Sequence, residues 1–322
     1  YGQLGIGDSI NTSVPTLVHA VNNAGVDVDH NYLTDIILVA AGATWSMALS
    51  NDGKIYTWGL NNYGQLGDNT GGGGTNNYKP YPVRLRGSRG GGYMDNVIDL
   101  ATGDNHGLIV RSDGSVYAWG YNTNGQLGLN DSSSIKRNYA PNRVNGVVGT
   151  SEPSLSKIIS VAAGSAHSVA LSRTGTIYSW GSNSNGQLGN GTSGVDVNSR
   201  PVQALGLTGM TAITAKGNHT MARKLADDTG VQAYHIYSWG NNAYGELMNG
   251  AVGSDQSTPT ITIFSDTGST LYPTFENYTQ SAFTMAIGYN HSVVLGTEGY
   301  VYSSGYNYYG TLGDGTNTDS KL

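Results

Sequence analysis

Four histidines are the residues best able to do chemistry in this chain of 322 residues. They occupy matching positions of a recurring segment, in which a tryptophan holds the fifth place: His106, His167, His219, His291 and Trp45. A ring of imidazoles could bind a transition metal such as zinc. The tryptophan, and the lack of carboxylates at a fixed spacing from the histidines, argue against a metal. We therefore predict that the histidines are structural, that each bonds to its neighbouring repeat, and that the protein binds no metal or other cofactor.

Other reactive constellations are missing from the sequence. The chain has no cysteine, which excludes disulfides, thiolate metal sites and cysteine nucleophiles. Its Gly-Gln-Leu-Gly segments lack the lysine of a phosphate-binding loop. Residues 314–319 alternate oxygen-bearing side chains but lack the distal glutamate of a calcium loop. The sequence thus predicts a protein that is not an enzyme.

The histidines belong to a repeat of about 61 residues. Each repeat closes a short apolar run with Trp-Gly, and Ser304-Gly305 holds the fifth place; the tryptophans are Trp58, Trp119, Trp180 and Trp239. A Gly-Gln-Leu-Gly motif or a variant of it follows, and its copies begin near residues 1, 63, 124, 185, 244 and 309. We expect the tryptophans to be structural and to fill the space between repeats.

Each repeat carries signals for four strands, which we name A to D. In the first full repeat these are residues 36–40, 45–49, 54–58 and 81–85. The Asp-Gly pair between strands B and C is a strong hairpin signal, and the proline near strand D suits a sheet edge. Further candidates for strand D are residues 14–18, 201–205 and 259–264.

These residues resemble the regulator of chromosome condensation repeat, whose pattern combines a Gly-x-x-His strand, a Gly-bounded hairpin, Trp-Gly-x-Asn and Gly-Gln-Leu-Gly. The resemblance covers nearly the whole chain and recurs five to six times. It implies an all-β protein, a β-propeller of four-stranded blades with about five blades in this chain and usually seven in the family. One blade cannot bury both of its faces, so neighbouring blades must stack. We expect a single β-propeller domain over residues 1–322.

The two ends of the chain repeat the same motif, in residues 1–13 and 309–321. The strand D candidate at residues 14–18 could complete the last blade and close a ring of five. Further repeats outside this sequence would instead give a seven-bladed propeller or a larger array. We place the seven-bladed protein first, the larger array second and the closed ring of five third.

The composition favours a binding protein with an acidic surface. Charged residues make up 12% of the chain, about half the usual share, and the net charge is −6. This balance opposes nucleic acid as a partner, and no apolar stretch is long enough to span a membrane. We predict a non-enzymatic interaction scaffold, secreted or at the cell surface of a prokaryote, whose partner is a protein (a second copy included) or a glycan.

Two other functions stay open. The resemblance implies the founding activity of the family, guanine-nucleotide exchange on a small nuclear GTPase together with chromatin binding. The acidic balance and the lack of a basic tail oppose chromatin. A propeller enzyme, such as a lyase or a glycosidase, would need convergent carboxylates or metal ligands, which the sequence does not offer.

The segments between each Gly-x-Leu-Gly motif and the next strand A vary most. They are residues 68–96, 129–157, 190–209 and 249–282. We expect them to gather on one face, where a rigid scaffold would present them to a partner. The first segment contains tyrosine and arginine, which are typical interface anchors. The predicted partner-binding residues are Tyr78, Tyr81, Arg84, Arg86 and Arg89, with the longer B–C connection at 223–235 as the next candidate.

Overall fold

The computed structural model describes most of the chain as strands joined by turns. The described residues are 1–21, 27–71, 77–88, 91–131, 137–226, 233–262, 284–296 and 299–320. Within these ranges no helix is long and apolar enough to cross a membrane.

The strands follow the repeat, four to a blade in the first four blades. The N-terminal hairpin is β1 (His19–Val21) and β2 (Asp27–Tyr32). Blade 1 contains β3 (Ile36–Ala41), β4 (Trp45–Ser50), β5 (Ile55–Leu60) and β6 (Tyr78–Arg84). Blade 2 contains β7 (Val97–Thr102), β8 (His106–Arg111), β9 (Val116–Tyr121) and β10 (Arg137–Arg143). Blade 3 contains β11 (Ile158–Ala163), β12 (His167–Ser172), β13 (Ile177–Asn183) and β14 (Gly194–Gln203). Blade 4 contains β15 (Met210–Lys216), β16 (His219–Ala226), β17 (Ala233–Gly240) and β18 (Gln256–Ile261), and blade 5 contains β19 (Met285–Ile287), β20 (His291–Leu295) and β21 (Val301–Gly305).

Each blade is an antiparallel sheet in which the strands pair in chain order. The predicted all-β propeller fold is therefore confirmed. In blade 5 the fourth position is held by a single bridge, in which Gly305 and Ser320 exchange backbone hydrogen bonds of 2.7 and 3.1 Å. The alternative in which residues 14–18 complete the last blade is wrong, since those residues form no strand and Ser320 pairs at that place.

The apolar core lies between blades rather than inside any one of them. One cluster joins Leu108 and Val116 of blade 2 to Ala170 and Trp180 of blade 3. Both faces of a middle blade are covered by its neighbours, which buries every residue of β12.

The inner ends of the blades approach one another at a repeated glycine. A Cβ atom added to Gly103 would lie 2.7 Å from the carbonyl oxygen of Gly164, and one added to Gly164 would lie 2.7 Å from that of Gly217. Contacts this short leave no room for a side chain. The glycines therefore allow the A strands of successive blades to pack around a common axis.

Strand direction alternates across each blade, which assigns every connection to one of two faces. The A–B turns and C–D loops lie on the face that we call upper, and the B–C turns and D–A connections lie on the lower face. Each variable segment contains a D strand, so its two halves reach different faces. From Tyr78 to Arg84 an extended strand covers about 20 Å. The expectation that these segments gather on one face is therefore wrong.

Candidate protein-binding face

The backbone carbonyl of the glutamine in Gly-Gln-Leu-Gly, or of Glu246 in blade 4, accepts side-chain hydrogen bonds from the following blade. Between blades 2 and 3, the Gln126 carbonyl oxygen accepts hydrogen bonds from Trp180 Nε1 at 2.9 Å and from Ser168 Oγ at 2.8 Å. Equivalent bonds of 2.8–2.9 Å join Trp58 to Gln3, Trp119 to Gln65 and Trp239 to Gln187. All four indoles are at most 6% exposed. The motif thus holds the blades together.

The repeat histidines are bonded to hydroxyl groups of the following blade. Bonds of 2.9–3.0 Å join His106 to Ser168, His167 to Thr220 and His219 to Ser292. Each of these hydroxyls donates its own proton to a backbone carbonyl, so it accepts from the imidazole, whose Nε2 must carry the proton. Burial lowers the pKa of these three histidines to about 3, which keeps them neutral. His291, in blade 5, is half-buried, and burial lowers its pKa too.

Trp45 occupies the histidine position in blade 1, where the facing residue of blade 2 lacks a hydroxyl group. Blade 2 has Gly107 where the later blades carry Ser168, Thr220 and Ser292, so an imidazole at position 45 would find no hydroxyl there. Trp45 Nε1 instead donates to the Asp104 carbonyl oxygen at 3.0 Å, and its side chain is 1% exposed. The two departures from the repeat are physically linked.

In residues 314–319, the segment compared with a calcium loop, the Asp314 carboxylate accepts hydrogen bonds from within its own loop. Asp314 Oδ1 accepts from the Thr316 backbone N at 2.9 Å and from Asn307 Nδ2 at 3.2 Å. These bonds form a closed turn, and backbone donation lowers the pKa of the Asp314 carboxyl group. In the described parts of the chain no three His, Cys, Asp or Glu residues are grouped so as to hold a metal ion.

The predicted partner-binding residues are not brought together. Tyr78 begins β6 at the upper face, whereas Arg84 ends it at the lower face, and Arg89 lies outside the described residues. Arg84 is 16% exposed and pairs with Asp95 through Nη2 at 2.7 Å. Its guanidinium group stacks on a tyrosine ring within its own repeat, so most of its binding capacity is used internally.

That ring belongs to Tyr93, which two arginines share. The Cζ atoms of Arg84 and Arg86 each lie 4.7 Å from its centroid. Such cation–π contacts fix the connection between β6 and β7. Tyr81 lies half-buried in the middle of β6. Arg84 and Arg86 therefore stabilise the lower face of blade 1.

The axis of the upper face carries a group of side chains that we call the axial network. Lys216 Nζ in blade 4 donates to the Ala41 carbonyl oxygen in blade 1 at 3.3 Å and lies 5.5 Å from the centroid of the Tyr289 ring. The Tyr289 hydroxyl in blade 5 donates to Asp104 Oδ1 in blade 2 and also bonds to the Ser165 side chain in blade 3. One residue from each of the five blades thus meets here.

Electrostatics fix the protonation of this network. Burial, and then the neighbouring Asp104 carboxylate, raise the pKa of Tyr289 to about 12. The phenol therefore stays protonated and donates to Asp104 near neutral pH. Since Tyr289 is still 47% exposed, the network presents a cation, an anion and an aromatic ring to solvent.

Sequence reasoning missed this network because its members lie in the short A–B turns and at the ends of strands A. Those positions hold Asp104, Ser165, Gly217 and Tyr289 in successive repeats, so they vary while the flanking residues recur. The variation of this turn position from blade to blade, between residues that recur, was a sequence signal for a functional surface. The prediction of binding residues considered variation only in the long segments.

Blade 4 differs from blades 1 to 3 at the glutamine of its motif, which is Glu246. The carboxylate is fully buried, with Oε1 accepting from Asn241 Nδ2 at 2.6 Å and Oε2 from the Tyr244 backbone N at 2.8 Å. Burial raises the pKa of this group. Its carbonyl still accepts the Ser292 hydroxyl at 2.7 Å, so the junction keeps the bond made by the other glutamines.

Known proteins resemble this chain over its whole length. The ultraviolet-B receptor UVR8 of Arabidopsis thaliana is 29% identical over 99% of this chain, and the chain spans 62% of that receptor. The mouse regulator of chromosome condensation is 28% identical over 99% of the chain and 69% of that protein. The crystal structure of Saccharomyces cerevisiae Prp20p, a protein with binding properties to Gsp1p and histones, matches with a TM-score of 0.64 at 22% identity, over 89% of this chain and 62% of Prp20p. The family model of the RCC1-like domain matches residues 1–322, and the chain therefore belongs to the RCC1-like domain family.

Proposed function

We propose that this chain regulates a protein partner by binding it on the upper face, and that the partner is a small GTPase whose nucleotide exchange it promotes. The observation that carries this proposal is the 28% identity with the mouse regulator of chromosome condensation over 99% of the chain. Binding to Gsp1p by Prp20p points in the same direction. Such an activity needs the partner to be deformed by contact and requires no covalent chemistry of the propeller.

The axial network supports the upper face as the binding surface. Its charged and aromatic side chains come from blades 2, 4 and 5 and are held by bonds that cross the axis, so they form a rigid group. Rigid presentation lowers the entropic cost of binding. The bonds that join the blades use the repeated residues, which leaves the varying positions free to encode selectivity.

The proposal is tested by the release of a fluorescent GDP analogue from a panel of purified small GTPases. We expect the chain to accelerate release from at least one of them tenfold or more. The variants Lys216→Ala and Asp104→Ala should reduce that acceleration several-fold, since each removes a charge from the upper face. The matched control is Lys54→Ala, which removes a cation from the lower face and should leave the rate unchanged.

Two results would overturn the proposal. One is a release rate equal to the spontaneous rate for every GTPase in the panel. The other is a loss of activity in Lys54→Ala with full activity in Lys216→Ala, which would move the binding surface to the lower face.

A second candidate is the interaction scaffold indicated by the composition. Exposed tyrosines on the upper face of blade 5 favour it: Tyr308 is 63% exposed and Tyr309 is 78% exposed, with ring centroids 4.9 Å apart. Tyrosine adds contact area at low entropic cost. Sedimentation of the chain over a range of concentrations, with Tyr308→Ser/Tyr309→Ser as the variant, tests self-association through this cluster. Secretion or display at the cell surface remains part of this second proposal and rests on composition alone.

A further inference from the structure

One pair of repeat positions faces across the blade junctions of the upper face and holds different residues at different junctions. The fifth residue after the Trp position of one blade meets the second residue after the Trp position of the next. Between blades 1 and 2 this contact is Tyr63 on Tyr121, with ring centroids 4.6 Å apart. Between blades 4 and 5 it is Tyr244 on Tyr306, at 4.9 Å. At these two junctions the framework of the upper face therefore accommodates a pair of aromatic rings.

The junction between blades 2 and 3 has small residues at the same place. Asn124 and Ser182 replace the two tyrosines, and a cavity of about 280 Å³ opens between them. Its walls are formed by Asn124, Ser182, Asn183, Ser184, Val195 and Val197. We call it the junction pocket. At the junction of blades 3 and 4 the same place is closed by polar groups, since Asn185 Nδ2 donates to Asp255 Oδ2 at 2.7 Å.

The apolar wall of the junction pocket comes from an early start of one strand. Ser199 of β14 and Tyr139 of β10 occupy matching positions. β14 begins at Gly194, five residues before this position, whereas β10 begins at Arg137, only two residues before it. The extension carries Val195, which is 93% exposed, and Val197, which is 54% exposed. Val197 lies against the loop of blade 2, because a Cβ added to Gly125 would be 2.9 Å from its Cγ1. The two valines thus give the pocket an exposed apolar side.

The polar floor of the pocket is already organised. Asn183 is 3% exposed, and its Nδ2 donates to the Thr192 carbonyl oxygen at 2.9 Å while its Oδ1 accepts from the Leu188 backbone N at 3.1 Å. Ser182 Oγ accepts from Gln187 Nε2 at 3.3 Å. The pocket can therefore take a guest without rearrangement of its floor.

We propose that the junction pocket binds an aromatic side chain, of the tyrosine type, presented by a protein partner on the upper face. The same framework places tyrosine rings at this position in two other junctions, so its shape is matched to such a ring. The volume of about 280 Å³ lies at the lower end of the range of about 300–1,000 Å³ typical of ligand clefts, which suits a small group such as a single side chain. The valines supply apolar contact, and the amides and hydroxyls suit a phenol oxygen. This inference rests on the proposed function in placing a protein partner on the upper face.

The test uses N-acetyl-tyrosinamide as the probe and the methyl groups of Val195 and Val197 as reporters, observed by NMR in the full chain. We expect saturable ring-current shifts of these methyls with a millimolar dissociation constant, as one small ligand can gain only limited contact. N-acetyl-leucinamide should shift them far less. The shifts require no GTPase, so this test can succeed or fail independently of the nucleotide-exchange assay.

The matched variant is Asn124→Tyr/Ser182→Tyr, which recreates the pair found at two other junctions and should weaken probe binding at least tenfold. Val195→Ser provides a second variant that leaves the junction intact and should weaken binding through loss of the apolar wall, read from Val197. Three outcomes overturn the proposal: no saturable shift in the native chain, equal shifts in the filled variant, or stronger saturable shifts with N-acetylglucosamine than with the tyrosine probe.

Discussion

Trp180 Nε1 and the backbone carbonyl oxygen of Gln126 are joined by a 2.9 Å hydrogen bond that crosses the boundary between blades 3 and 2. The two residues are 54 positions apart, and the bond connects the recurring Trp-Gly of one repeat to the Gly-Gln-Leu-Gly of the repeat before it. Ser168 Oγ donates to the same oxygen at 2.8 Å, which saturates both lone pairs. The two motifs of the repeat are thus halves of one contact between blades.

Trp180→Ala should destabilise the protein by about 3–5 kcal/mol, because it removes a fully buried indole from the wedge between two blades. Trp180→Phe should cost about 1–3 kcal/mol, as it keeps much of the packing and loses the hydrogen bond to Gln126. Urea unfolding of the two variants and the native chain measures both values. An unfolding midpoint of Trp180→Ala equal to that of the native chain would contradict this account of the junction.

Acid should destabilise the folded chain through its buried histidines. The pKa of His167 is lowered by burial to about 3, whereas an unfolded histidine titrates near 6.5. Below pH 6.5 the unfolded state binds more protons, so the unfolding free energy falls by about 1.4 kcal/mol per pH unit for each such histidine until pH 3. His167→Gln should show a shallower pH dependence than the native chain in urea unfolding at pH 7.5, 6.0 and 5.0. Parallel pH profiles would show that His167 does not carry this effect.

Glu246→Gln should stabilise the protein at neutral pH. Burial raises the pKa of Glu246 above its unfolded value, so its contribution is most favourable at low pH and is lost as pH rises through the raised pKa. Glutamine fits the site, since Gln65, Gln126 and Gln187 accept the equivalent backbone donor at 2.8–2.9 Å. The melting temperature should rise by about 1–3 °C at pH 7 and by less at pH 4.5. A lower melting temperature of the variant at pH 7 would contradict the prediction.

The glycine after each core tryptophan should tolerate no side chain. Gly181 has a φ of +103°, and an added Cβ would lie 2.6 Å from the Ala166 carbonyl oxygen. Gly181→Ala should therefore cost about 2–4 kcal/mol from backbone strain and steric overlap together. The control is Gly206→Ala, where φ is +69° and no atom of the described residues, its chain neighbours apart, lies within 4 Å of an added Cβ, so that only about 1 kcal/mol of strain is expected. Equal stability losses in the two variants would show that the close contact contributes nothing.

The sequence alone determined the blade and its repetition. The blade is encoded by local features: the repeat of about 61 residues, the Trp-Gly pairs, the Asp-Gly turns and the alternating strands. Each specifies its own strand or turn without reference to distant residues. The resemblance to a known repeat followed from those same residues, and the fold was predicted correctly from them. Strand D was also predicted within the variable segments. Because this strand crosses the blade, each segment reaches both faces, and the prediction that the segments lie on one face was wrong.

Only the tertiary structure decided which residues meet around the axis and between blades. Lys216 and Ala41 are 175 residues apart, and Tyr289 and Asp104 are 185 apart, so no local pattern relates them. Their contacts follow from stacking the blades about one axis, which brings the same position of every repeat to the same place. The junction pocket arises in the same way, because Asn124 and Ser182 differ from their counterparts by ordinary substitutions in a polar loop. The substitutions leave a cavity only because a neighbouring blade fixes the distance between them.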